Sequence, residues 1–63
     1  MNKKYPTKKI AIARLRFLRA MAYEAPVPAA DFDELIALEH YCGSEKRAAY
    51  YEANRDDMSL PTR

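Results

Sequence analysis

A chain of 63 residues makes one domain at most, and a core that small contributes only about 3–5 kcal/mol unless a disulfide, a metal or a second copy adds to it. Its single cysteine excludes an internal disulfide, its single glycine excludes a glycine-rich phosphate loop, and one histidine beside one cysteine leaves too few soft ligands for zinc. The net charge is +2 but unevenly placed: seven Lys and Arg and no acid lie in the first nineteen residues, whereas six acids and no Lys or Arg lie from Glu24 to Glu45.

Blocks of opposite sign can face each other within one fold or across a dimer, and a basic block can also serve as a nucleic-acid arm. The chain has no run of about 18 apolar residues and no apolar segment of signal-peptide type after its first lysines. It therefore reads as a cytoplasmic, soluble protein with no membrane partner. Abundant Ala, Leu, Glu, Lys and Arg favour an all-α fold.

In chain order, residues 1–6 form a short basic lead-in, expected to be flexible, and Pro6 discourages helix before it. Thr7 is placed to cap the helix that follows. From Thr7 to Ala25, at about 100° per residue, Ile10, Ala11, Leu15, Phe17, Leu18, Met21, Ala22 and Ala25 share one broad arc, with Arg14 near its centre. The opposite side carries Lys8, Lys9, Arg16 and Arg19 with Ile12 and Tyr23. It reads either as a solvated face whose long stems cover apolar surface or as a basic face for a partner or for phosphate.

Ala25-Pro26-Val27-Pro28 ends this helix, and so short a connection predicts an antiparallel neighbour. The second helix starts near Pro28 or near Asp31, where Asp31 and Glu34 have capping-box spacing. Its apolar face holds Phe32, Leu35, Ile36, Leu38 and Cys42, with Glu39 among them. Folding the hairpin about Val27 and Pro28 sets Glu39 level with Arg14, so a buried ion pair between these two is expected to set the register.

Gly43-Ser44 can act as a stop and a new cap, giving two helices. Phe32, Leu35, Glu39, Cys42, Lys46, Ala49 and Ala53 nevertheless continue in steps of three and four. That register favours one helix, kinked or continuous, to about Asn54. Such a helix would outreach the first and leave Ala49, Tyr50, Tyr51 and Ala53 uncovered, which calls for a homodimer packed as a four-helix bundle through those residues. Residues 55–63 are expected to be a flexible end.

No constellation specifies a reaction. His40 and Cys42 point to different sides of a helix, the serines lack a base and an orienting group, and Asp31, Asp33 and Glu34 suit the positive end of a helix dipole. The reading is a non-enzyme without cofactor or metal. It regulates by protein–protein interaction, as a homodimer that also binds another protein. The alternative is a nucleic-acid-binding regulator using the basic first helix or the Lys46, Arg47, Tyr50, Tyr51 surface.

With its length, its basic MNKKYPTKK opening and its Ala-rich helical body, the chain resembles the very small early proteins encoded between the exo and xis genes of lambdoid temperate phages. The resemblance implies action in the cytoplasm of the infected bacterium, on phage development such as the balance of lysis and lysogeny, through host partners. It carries over no individual residues.

Overall fold

Thr7 opens the first helix as its spacing predicts: its hydroxyl accepts from the Ile10 N–H at 3.2 Å and its carbonyl from the Ala11 N–H at 3.1 Å. The computed structural model describes residues 5–24 and 26–60, and these are all-helical. The elements are α1 (Lys8–Glu24), α2 (Ala29–Tyr41), α3 (Glu45–Ala53) and the single turn α4 (Arg55–Met58). Residues 1–4 of the lead-in, Ala25 and residues 61–63 of the tail lie outside the described residues.

Pro28 caps α2 with extended backbone and its carbonyl takes the Phe32 N–H, so Asp31 falls inside the first turn and makes no capping box there. The other end of α2 stops at Gly43, which among the described residues is the one with positive φ, at 86°. Its N–H donates to the His40 carbonyl (3.1 Å) and the Ser44 N–H to the Glu39 carbonyl (2.7 Å). This paired closure is the Schellman motif, which needs a left-handed residue at the Gly43 position.

The expected long helix to Asn54 is therefore corrected to two helices broken at Gly43. The apparent heptad fails beyond the break. Lys46, Ala49 and Ala53 face solvent, and α3 instead buries Ala48 and Tyr51. Alanines on both sides of α3 made its phase ambiguous, and the tertiary fold chose the side bearing Tyr51.

The turn at Gly43 sends α3 back against α2, so α2 packs against both α1 and α3. Phe32, Leu35, Ile36 and Leu38 of α2 meet Ala11, Leu15 and Leu18 of α1 and Ala48 and Tyr51 of α3 in one core. Tyr51 stands edge-on to Phe32, with ring centres 6.0 Å apart. This also corrects the expected dimer contact. Tyr51 is buried within its own chain, and the uncovered overhang that called for a second copy does not exist.

Residues 55–60, part of the stretch expected as a flexible end, make contacts with the rest of the fold. Val27 in the α1–α2 connection donates to the Met58 carbonyl (2.9 Å) and accepts from the Leu60 N–H (2.8 Å), a single parallel bridge centred on Ser59. Arg55 lies over the Phe32 ring at 5.1 Å and bridges Asp33 at 2.9 Å. Tyr5 of the lead-in is likewise buried in the core.

Candidate partner-binding surface

The surface is defined by what the arginines of α1 do. Arg14 grips Glu34 through two hydrogen bonds of 3.0 Å, with Asp31 at 3.7 Å, and Arg19 grips Glu39 through bonds of 2.9 and 2.8 Å. The expected Arg14–Glu39 pair is thus replaced by two pairs, each separated by 20 residues in sequence. Strictly aligned antiparallel helices would match Arg14 with Glu39 and Arg19 with Glu34. Five residues at about 100° each set Arg14 and Arg19 about 140° apart around α1, and Glu34 and Glu39 likewise around α2, so the exchanged pairs lie on different sides of the α1–α2 contact.

Glu39 is the fully buried member, at 0% exposure, and Arg47 of α3 approaches the same carboxylate to 3.9 Å. Hydrogen bonding to Glu39 raises the Arg19 guanidinium above its ordinary value, against the lowering effect of burial. On the other flank Glu34 also accepts the Tyr5 hydroxyl. Burial first, then that bond and the Glu34 charge, push Tyr5 up from 10.0 to about 12, with Arg14 pulling the opposite way.

These two clamps set how α1 is rotated. Ala11, Leu15 and Leu18 turn to the core, with Met21 and Ala22 packed partly against it. Ile10 and Phe17, expected on the same buried arc, stand 48% and 56% exposed. With Ala13 they form a short apolar stripe along the outer side of α1, and the Arg14 guanidinium sits 5.3 Å over the Phe17 ring. Lys9 and Arg16 flank this stripe in solvent.

The expected basic face is divided by the same rotation. Lys9 and Arg16 are solvent-facing, Arg19 is committed to Glu39, and Lys8 reaches the Tyr41 ring (5.1 Å) and the Tyr41 carbonyl (3.4 Å) at the end of α2. Of the residues assigned to a dimer contact, Ala49, Tyr50 and Ala53 are exposed and Tyr51 is not.

Tyr50 borders an open groove of about 600 Å³ between the last turns of α1 and α3. Tyr23, at 92% exposure, Arg19 and Arg47 line it, with Tyr51 and Met58 at its floor. Glu24 also lines it and Glu39 lies behind the two arginines, so the acids balance its positive charge. Sequence spacing had placed Tyr23 beside Arg19, but nothing in the sequence signalled that α3 would return to form the opposite wall.

The His40 ring nitrogen meets Glu45 at 2.6 Å across the Gly43 turn, which gives it a structural contact at the joint. Among the described residues no cluster of three His, Cys, Asp or Glu side chains is arranged to hold a metal, and no helix is long and apolar enough to cross a membrane. Comparison with protein-family models, curated proteins and solved structures finds no match. The functional reading rests on the surface itself.

Proposed function

We propose that this chain is a small non-enzymatic regulatory protein that acts by protein–protein interaction, in the manner of a phage early protein modulating phage development through a factor of the bacterial host. The observation that carries the reading is the outer side of α1. There Ile10 and Phe17 are left in solvent, and Lys9 and Arg16 stand beside them. Large apolar side chains gathered on an ordered helix, with charges at the rim, are the makings of a protein interface. The most deeply buried acid and its arginine are occupied in holding the fold, so they offer no free acid–base pair for chemistry.

The groove supports a second reading, nucleic-acid binding. Tyr23 and Tyr50 offer aromatic rings on which bases could stack, and Arg47 lines the same groove. The acids Glu24 and Glu39 beside it weaken the attraction for phosphate, which places this reading second.

Affinity capture from a bacterial lysate, run beside a gel-shift titration with duplex and single-stranded DNA at near-physiological salt, separates the two. Recovery of a protein by the wild type and its loss with Phe17→Ser supports the interaction reading. A DNA shift abolished by Tyr23→Ala and Arg47→Ala, with no protein recovered, rejects it.

A further inference from the structure

Resting on the interaction reading above, we infer that the outer side of α1 docks an acidic amphipathic helix. Ile10, Ala13, Phe17 and Ala20 recur at steps of three, four and three, the spacing that meets the ridge of a second helix. All four are exposed. Ile10 and Phe17 lie two turns apart, about 10.5 Å along the axis, and the alanines beside Phe17 leave hollows for the partner's leucines. Arg14, held by Glu34 and stacked on Phe17, keeps that ring in place before any partner arrives.

Charge selects the occupant. Lys9 and Arg16 edge the stripe, their charges paired with no acid among the described residues, and the only acid of α1 is Glu24 in its final turn. A second copy laying its own α1 there would set lysine and arginine against lysine and arginine. The exposed acids Asp56 and Asp57 of this chain sit on the four-residue α4, too short to follow two turns of α1. A helix with leucines at i, i+3, i+4 and i+7 and glutamates along the border that meets Lys9 and Arg16 satisfies the apolar ridge and the basic rim together.

The probe is a fluorescein-labelled synthetic peptide of about 14 residues, four helical turns, with that leucine and glutamate pattern. Its controls are the same peptide with lysine for glutamate and a scrambled glutamate peptide. Saturable binding of the acidic peptide alone is expected by fluorescence anisotropy. Phe17→Ser should weaken it about tenfold or more. Both replaced residues are exposed, so far-UV circular dichroism should show Phe17→Ser and Ile10→Ser folded as the wild type.

Lys9→Glu with Arg16→Glu should abolish binding of the acidic peptide and admit the lysine peptide. No saturable binding, equal binding of the scrambled peptide, or insensitivity to Phe17→Ser would overturn the proposal. So would light scattering that shows a dimer dispersed by Phe17→Ser, because the occupant would then be a second copy. Failure of the peptide while lysate capture still depends on Phe17 removes only the acidic-helix inference. Failure of both removes the interaction reading as well.

Discussion

Replacing Arg19 by Met takes away both hydrogen bonds to a carboxylate that has no access to water, leaving Arg47 at 3.9 Å, beyond hydrogen-bond reach. Breaking a buried pair from one side costs about 3–5 kcal/mol. That equals the whole stability expected of a domain this small, about 3–5 kcal/mol, so Arg19→Met should be largely unfolded at 25 °C. Glu39→Met should be far milder. The arginine it leaves behind is one-third exposed and can swing its guanidinium into solvent, whereas the carboxylate cannot move.

The double variant, with neither charge, should return to within about 1 kcal/mol of the wild type, since an apolar pair of similar volume replaces a buried ion pair at little net loss. Urea unfolding followed by far-UV circular dichroism gives the four stabilities, with trimethylamine N-oxide added to all samples so that the weakest variant has a measurable folded baseline. The double-mutant cycle should show coupling above about 2 kcal/mol. A loss below about 1 kcal/mol for Arg19→Met, or a double variant no more stable than Arg19→Met, would refute the assignment of this pair as the constraint on how α1 sits against α2.

The two neighbouring tyrosines of α3 should behave oppositely: Tyr51→Ala should lose about 3–5 kcal/mol at any protein concentration, and Tyr50→Ala less than about 0.5 kcal/mol, as urea midpoints would show. Deleting residues 55–63 removes two hydrogen bonds to Val27 and the Met58 and Arg55 contacts, and should lower stability by about 2–3 kcal/mol; a neutral outcome would mean that the tail does not pack in solution. The neutral hydroxyl of Tyr5 is favoured by the fold, so its contribution is complete below pH 10 and is lost as pH rises towards about 12. Tyr5→Phe should remove that step from the stability profile and the phenolate titrating at about pH 12 from the ultraviolet absorbance titration.

Much of the architecture was legible in residue order because it depends on local chemistry. The Thr7 cap, the proline-bounded connection and the apolar run of α2 each act within a few residues, and each stands where spacing placed it. Gly43 was readable as a stop. Its neighbours in steps of three and four argued for continuity, and the choice between them needed the closing hydrogen bonds to His40 and Glu39 and the burial of Tyr51.

The charges were the harder matter. Two basic and two acidic residues, five apart on each helix, can be joined in two ways, and only the way α1 is rotated against α2 decides between them. That rotation also chose which part of a broad apolar arc would be covered, which put Leu15 and Leu18 inside and Phe17 and Ile10 outside.

The amino-acid order by itself determined that the chain is helical, where its first helix lies, where its second begins and that Glu39 would be embedded in the apolar face of that second helix. Propensity, capping and periodicity act over a few residues and leave their marks in the order of the chain. The tertiary structure alone decided the partners of Arg14 and Arg19, the return of α3 and the side of α1 offered to solvent. Each of these is a competition between near-equal alternatives, and only packing against a distant segment breaks the tie.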